Sequence, residues 1–168
     1  MAECKGSPPF NNDSIKDIFS QLQVEWVDEK NFEHPWKFWS HEWAKHGSCA
    51  TTRHQLIPDQ HAYFATSLEL KRQFNFTRIF ERNSIIPSNN TLYDTASTLN
   101  ILKKDLGVEV RLHCEWKRGE DAILVDARVC IDSKLAPFDC PQEPRPTLWS
   151  DSPLGWTAPC PKQFIMTA

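Results

Sequence analysis

Apolar residues recur at the spacing of an α-helix in four stretches of the chain. In each stretch they follow the series i, i+3, i+4 and i+7 in whole or in part, which is typical of a helix that packs one face on a core. Asp13 or Ser14 is the predicted N-cap of the first helix, and Pro35 is a natural first residue for the second. Gly47 and Gly107 are predicted to end the second and fourth helices. The predicted helices cover residues 12–27, 35–46, 60–74 and 91–106.

The apolar pattern changes in the last third of the chain, where apolar and polar residues alternate. Such alternation predicts strands with one buried face. Two strands are predicted, over residues 108–114 and 123–131, and a turn containing a glycine makes them antiparallel neighbours. Residues 136–161 are rich in proline and are predicted to be irregular, and residues 164–166 are predicted to form a last short strand. Helices followed by strands predict an α+β fold.

Composition and charge exclude several classes of protein. The chain has 168 residues, of which 40% are hydrophobic, and its formal net charge is −3. This length suits a single domain, residues 1–168, with a core of its own. The small negative charge argues against a protein that wraps nucleic acid by bulk charge. No run of about 18 apolar residues occurs, so we expect no membrane span.

Six cysteines and three glycosylation sequons indicate an oxidising compartment. An even number of cysteines in a chain of this size predicts three disulfides. The sequons begin at Asn12, Asn75 and Asn89, and glycosylated asparagines lie on the surface of secreted proteins. The first ten residues carry no apolar segment of the kind that a signal peptide needs. We therefore expect a secreted protein whose export signal has been removed or lies upstream of Met1.

The segment 38–49 carries the candidate chemistry. In an α-helix, which turns about 100° per residue, four ionisable side chains of this segment fall within an arc of about 140°. Three tryptophans share a neighbouring stripe, so they can pack the helix on the body of the protein while the ionisable arc faces a cleft. The ionisable residues are His41, Glu42, Lys45 and His46, and the tryptophans are Trp36, Trp39 and Trp43.

Three interpretations of this arc compete. Charged residues at this spacing are common on a solvated helix face and need no function. A zinc protease is disfavoured, because its motif needs a second histidine four residues after the first, where this chain has Lys45. Phosphoryl transfer is favoured, because an imidazole can take or give a proton while a lysine and a second histidine hold a phosphate. Such a set suits cleavage of RNA through its own 2′-hydroxyl, which needs no metal and no cofactor.

Residues 41–49, His-Glu-Trp-Ala-Lys-His-Gly-Ser-Cys, closely resemble an active-site motif of the ribonuclease T2 family. The resemblance covers essentially the whole chain, includes the stretches 9–17, 67–70 and 86–88, and is densest over residues 10–88. It implies a ribonuclease T2-like α+β fold, with an antiparallel sheet, flanking helices and disulfides. It also implies an extracellular, lysosomal or vacuolar endoribonuclease that cleaves single-stranded RNA through a 2′,3′-cyclic phosphate with low base specificity. We expect a monomer.

The resemblance assigns roles to individual residues. His46 would take the proton of the 2′-hydroxyl, and Glu42 and Lys45 would stabilise the transition state. His41 would bind the scissile phosphate. Two aromatic residues would either stack on the bases of the substrate or pack in the core, and these are Phe38 and Trp39. The implied disulfides are Cys4–Cys49, Cys114–Cys160 and Cys130–Cys140.

The sequence departs from the family in one motif. The family has an earlier motif, Phe-Thr-Ile-His-Gly-Leu-Trp-Pro, which lies on a strand and supplies the general acid, and this string does not occur in the chain. We therefore expect a domain truncated at its amino terminus, without its first strands. We also expect weak activity, because the loss of an acid–base partner costs about 10²–10⁴ in rate. The histidines outside the motif are not assigned as substitutes, and these are His34, His54, His61 and His113.

Two other classes of function stay open. One is a non-catalytic secreted glycoprotein of the same family that binds RNA or a protein partner. The other is a disulfide-linked extracellular binding module unrelated to RNA. RNA binding without turnover would favour the first, and a disulfide between Cys4 and Cys49 would support the ribonuclease fold over the second.

Overall fold

The computed structural model describes residues 8–28, 34–117, 119–143 and 157–167. The chain divides into two compact units, Met1–Gln73 and Phe74–Ala168. The described elements of the first unit are all helical, whereas those of the second unit combine helices with strands.

The first described element of the first unit is a 3₁₀-helix, Asn12–Ile18, where an α-helix is predicted. Its N-cap is Asn11, whose side chain accepts a hydrogen bond from the backbone N–H of Asp13 at 2.9 Å, so the prediction of Asp13 or Ser14 is wrong by two or three residues. Ile15 lies inside this segment with a non-helical φ of −128°, so the segment consists of two short helical pieces joined at a kink. The α-helices of the unit are α1 (Phe19–Glu25), α2 (Pro35–Glu42), α3 (Ser48–Arg53) and α4 (Gln60–Gln73).

The core of the first unit is formed by the apolar positions that predicted the helices. The stripe of α4 is confirmed, since Phe64 and Leu68 are both buried. Burial of a large apolar side chain stabilises a fold by about 1.5–3 kcal/mol. The buried members of this core are Ile15, Leu22, Trp39, Trp43, Phe64 and Leu68.

The second unit contains two helices, a five-stranded sheet and a separate two-stranded sheet among its described residues. The elements are α5 (Phe76–Arg82), β1 (Ser88–Asp94), α6 (Thr95–Leu106), β2 (Arg111–Glu115), β3 (Ile123–Arg128), β4 (Cys130–Ile131), β5 (Pro137–Phe138), β6 (Ala158–Pro159) and β7 (Gln163–Met166). The large sheet has the order β1-β7-β3-β2-β6, and β4 pairs with β5. The α+β class is confirmed.

The large sheet is mixed, so the expectation of a wholly antiparallel sheet is wrong. β2 and β3 are antiparallel, as the glycine-containing turn between them predicts, with Glu115 opposite Ile123. β3 and β7 are parallel, with Ile123 opposite Ile165. The last strand is thus confirmed, but its direction relative to β3 depends on the path of the chain between them, and no local pattern encodes that path.

Capping side chains explain where α5 and α6 begin. The side chain of Asp94 accepts a hydrogen bond from the N–H of Ser97 at 2.8 Å, so α6 begins later than predicted and the residues before it form β1. Gly107 ends α6 in the left-handed region, with a φ of 77°, as predicted. The side chain of Asn75 accepts a hydrogen bond from the N–H of Arg78 and caps α5, a helix missing from the sequence predictions.

Two disulfides implied by the family resemblance are confirmed in the second unit. Cys114 is bonded to Cys160, and Cys130 is bonded to Cys140. Cys49 is disulfide-bonded as well. Its expected partner, Cys4, lies outside the described residues.

Candidate active site

The segment with the ionisable side chains forms one helical rod from Pro35 to Arg53. Pro35 is in the first turn, where its missing N–H costs no hydrogen bond. Trp43–Gly47 is a π-helical turn, in which the N–H of Ser48 donates to the carbonyl of Trp43, five residues earlier. The rod then continues as α3, so the prediction that Gly47 ends the helix is wrong. The arc of about 140° assumed α-helical geometry as far as His46, and it does not describe this wider turn.

Gly47 is required by space and not by backbone conformation. A Cβ atom at this position would lie 2.5 Å from Cε3 of Trp43 and 2.8 Å from Cδ1 of Tyr63, and both neighbours are rigid rings. The φ of Gly47 is −62°, which any residue adopts in a helix. A side chain here would therefore have to displace both rings or the turn itself.

Two tryptophans anchor the rod in the core of the first unit. Trp39 is completely buried, and its indole N–H donates to the carbonyl of Trp26 at 2.8 Å. Trp43 is 2% exposed and donates in the same way to the carbonyl of Pro8 at 2.8 Å. The packing role predicted for these two tryptophans is confirmed, whereas Trp36 is 39% exposed.

The burial of Trp39 decides between the two interpretations given for it. A ring with no exposed surface has no face on which a base can stack, so Trp39 is a core residue and its assignment to base stacking is corrected. Phe38 packs against the same core but is only half-buried, so part of its ring remains accessible.

The four ionisable side chains lie on the same rod as the buried tryptophans. His41 and Glu42 are in the last turn of α2, and Lys45 and His46 are in the π-helical turn. Both imidazoles are exposed, whereas Glu42 and Lys45 are half-buried. The rod therefore presents two accessible imidazoles beside one carboxylate and one ammonium group.

Tyr63 is a neighbour of this rod that sequence reasoning missed. It lies on α4 beside the two buried residues of the predicted stripe, and its ring centroid is 6.1 Å from that of Trp43. Burial raises the pKa of the Tyr63 hydroxyl far above its ordinary value, and the negative charge of Glu42 adds to this shift. The hydroxyl therefore stays protonated wherever an imidazole titrates.

Three of the four histidines outside the motif have side-chain contacts elsewhere. His34 packs against Trp36 with a centroid distance of 5.0 Å, and Nε2 of His61 lies 2.9 Å from the carboxylate of Asp17. In the second unit, His113 is buried and its Nε2 lies 2.9 Å from the carboxylate of Glu143.

Among the residues that the structure describes, no group of three or more His, Cys, Asp and Glu side chains is arranged to hold a metal ion. Within that same part of the chain, no helix has the length and apolar character needed to cross a membrane.

Comparison with known proteins identifies the family. The family model described as "Ribonuclease T2 family" matches residues 1–140, and the chain belongs to this family. The chain is 35% identical to Ribonuclease DdI of Dictyostelium discoideum over 82% of its own length and 58% of that protein. It is 27% identical to the ribonuclease-like storage protein of Panax ginseng over 83% of its own length and 57% of that protein. The chain therefore spans less than two thirds of these relatives.

The fold agrees with the family. Human ribonuclease T2 superposes on the chain with a TM-score of 0.77 at 25% identity, covering 98% of this chain and 77% of the human one. The ribonuclease T2-like fold that the motif implied is thereby confirmed.

Proposed function

We propose that this chain acts as an endoribonuclease that cleaves single-stranded RNA by transesterification, through a 2′,3′-cyclic phosphate. The observation that carries the proposal is the rod from Pro35 to Arg53, in which exposed imidazoles stand beside Glu42 and Lys45 on a turn anchored by buried rings. A merely solvated helix face would not require a wide turn or a glycine confined by two rings at the same positions.

The first chemical step assigns the general base. His46, as a neutral imidazole, takes the proton of the 2′-hydroxyl, and the oxygen attacks the adjacent phosphorus to form a five-coordinate species. The bond from phosphorus to the 5′-oxygen then breaks and leaves a 2′,3′-cyclic phosphate. A positioned acid or base contributes about 10²–10⁴ to such a rate. The exposure of His46 is consistent with access to an RNA backbone.

The other ionisable residues of the rod bind the phosphate or stabilise the charges that develop in this step. The ammonium group of Lys45 offsets the extra negative charge on the phosphoryl oxygens, and His41 binds the scissile phosphate. The carboxylate of Glu42 stabilises the imidazolium that His46 becomes. No step needs a metal ion or a cofactor.

The leaving 5′-oxygen needs a proton from a general acid. The family motif that would supply this acid does not occur in the 168 residues. We therefore propose that the chain by itself works about 10²–10⁴ times more slowly than a relative that contains the motif.

The disulfides support a proposal for the setting of the enzyme. We propose a monomer with a single ribonuclease T2-like domain, residues 1–168, that works in an extracellular, lysosomal or vacuolar compartment, where disulfides persist. Low base specificity is part of the proposal, with Phe38 as an accessible ring for stacking, at about 1–3 kcal/mol per base.

The test is a cleavage assay on single-stranded RNA at mildly acidic pH with three proteins. The chain should release fragments that end in a cyclic phosphate, and His46→Ala should lower the rate at least about 100-fold. His61→Ala is the matched control, because it removes a surface imidazole that pairs with Asp17 outside the motif. If His46→Ala cleaved as fast as the chain, the site assignment would be wrong.

A second candidate function is a non-catalytic protein of this family that binds RNA or a protein partner. Two observations favour it: one similar relative is named a ribonuclease-like storage protein, and the earlier motif of the family, which would supply the general acid, does not occur in the chain. RNA binding with no cyclic phosphate after long incubation would support this candidate against the enzyme.

A further inference from the structure

Tyr63 contacts the rod at the turn that carries two of the proposed catalytic residues. A Cβ atom built on Gly47 would lie 2.8 Å from Cδ1 and 2.9 Å from Cε1 of Tyr63, so the ring rests directly on the backbone next to His46. The same ring is a neighbour of Trp43, which begins the π-helical turn. Tyr63 therefore touches both ends of this turn.

The ring of Tyr63 is itself fixed by other aromatic residues. Its centroid lies 5.9 Å from that of Trp26 and 5.1 Å from that of Phe64, and Phe64 is completely buried. Aromatic pairs at such distances contribute about 0.5–1.5 kcal/mol each beyond burial. A ring held in this way is a rigid support and not a mobile surface group.

The π-helical turn against which this ring packs has an unusual backbone geometry. It replaces α-helical hydrogen bonds with wider ones, and π-helical geometry is rare outside single turns of this kind. Relaxation of the turn to α geometry would rotate Lys45 and His46 about the rod relative to His41, because each residue of an α-helix turns by about 100°.

We infer that Tyr63 is a positioning residue, whose ring holds the π-helical turn that carries Lys45 and His46. The inference rests on the proposed ribonuclease function, and it adds a residue from α4 to a site otherwise built from the rod alone. The part that acts is the ring, because the hydroxyl is held in its neutral form and brings no charge to the site.

Kinetics on single-stranded RNA test this role with two substitutions of the same residue. Tyr63→Phe keeps the ring, so kcat should stay within about twofold of the unsubstituted chain. Tyr63→Leu removes the ring, so kcat should fall by about tenfold to a hundredfold while KM changes by less than about threefold, since misplaced groups slow chemistry more than they weaken binding. Equal kcat values for the Leu and Phe variants would overturn the inference.

Leu68→Ala is the matched control for loss of stability. Leu68 lies on the same helix and in the same core as Tyr63, but it is not among the atoms closest to Gly47. Both Leu68→Ala and Tyr63→Leu should lower the melting temperature, but only Tyr63→Leu should lower kcat at a temperature where all variants are folded. An equal loss of kcat in both variants would overturn the inference, because it would show that Tyr63 acts only through the stability of the fold.

A double-mutant cycle tests the contact between Tyr63 and Gly47 directly. Gly47→Ala should lower kcat, because the new methyl group collides with the ring of Tyr63 and that of Trp43. In the Tyr63→Leu background one of the two rings is gone, so Gly47→Ala should cost several-fold less than it does alone. Strictly multiplicative losses would show that the two positions are not coupled.

The imidazole resonances of His46 in proton NMR give a readout that needs no turnover. Tyr63→Leu should shift or broaden them, whereas Tyr63→Phe and Leu68→Ala should leave them in place. If these spectra change as expected but the chain cleaves no RNA, the proposed function fails and the positioning role stands. If RNA is cleaved but the His46 resonances do not change in Tyr63→Leu, the positioning role of Tyr63 is wrong and the proposed function stands.

Discussion

Removal of the Cys114–Cys160 disulfide is expected to destabilise the second unit more than removal of Cys130–Cys140. The two bonds close loops of 46 and 10 residues. In the chain-entropy model, loops of these lengths correspond to about 4 and about 2.7 kcal/mol of unfolding free energy at 25 °C. Cys114 and Cys160 are also 0% and 1% exposed, so paired alanines leave unfilled space in the core and add to the loss.

The assay compares Cys114→Ala/Cys160→Ala with Cys130→Ala/Cys140→Ala in urea. Hydrogen exchange of the amides in β2 and β3 follows the second unit alone, and it should give a difference of at least about 1 kcal/mol between the two double variants. The shorter loop serves as the control, because it removes the same number of sulfur atoms from the same unit. An equal or larger loss for the Cys130–Cys140 pair would refute this reasoning.

Three further predictions address the core, the surface charges and the metal independence of the site. Trp39→Phe should lower the free energy of unfolding, measured in urea, by about 1–3 kcal/mol, because it leaves the carbonyl of Trp26 without its donor. The control, Trp36→Phe at the surface, should change this free energy by less than about 0.5 kcal/mol. Equal losses in the two variants would contradict the prediction. The hydrogen bond from Arg82 lowers the pKa of Asp105, so this pair stabilises the fold above the ordinary carboxyl pKa, and its contribution is lost as pH falls through the lowered value. Asp105→Asn should therefore reduce the urea midpoint at about pH 7 but not at about pH 2. A reduction of equal size at both pH values would contradict this reasoning. Excess EDTA should leave the rate of RNA cleavage unchanged, and a loss restored by a divalent cation would contradict the mechanism.

The predictions that succeeded depend on features local in sequence. The alternation of apolar and polar residues located β2 and β3, and the glycine-containing turn between them predicted their antiparallel pairing. Pro35 and Gly107 marked helix ends correctly, since each residue limits the backbone within its own turn.

The predictions that failed depend on partners distant in sequence. Glycine is the residue type expected at a helix end, but at position 47 it is needed because the rings of Trp43 and Tyr63 leave no space for a side chain. Tyr63 comes from another helix, so the local sequence does not show this constraint. The residues before Asp94 have a helical apolar pattern, yet they pair with β7. In both cases tertiary contacts override a local signal that was physically reasonable.

The candidate site follows the same division. The types and order of His41, Glu42, Lys45 and His46 sufficed to predict phosphoryl-transfer chemistry on a helix, and their resemblance to the family motif made it specific. The π-helical turn could not be predicted, because a turn widened by one residue leaves no mark on the residue types. The contact of Tyr63 with this turn could not be predicted either, because Tyr63 comes from another helix.

Cleavage of an RNA oligonucleotide with a single 2′-deoxy position tests the central claim most directly. The proposed mechanism uses the 2′-hydroxyl next to the scissile phosphate as the nucleophile and His46 as its base. The chain should therefore cleave every linkage except the one that follows the deoxy sugar, and His46→Ala should suppress cleavage at the remaining linkages. Cleavage after the deoxy sugar at the same rate would contradict the account, because the attacking oxygen would then have to come from elsewhere.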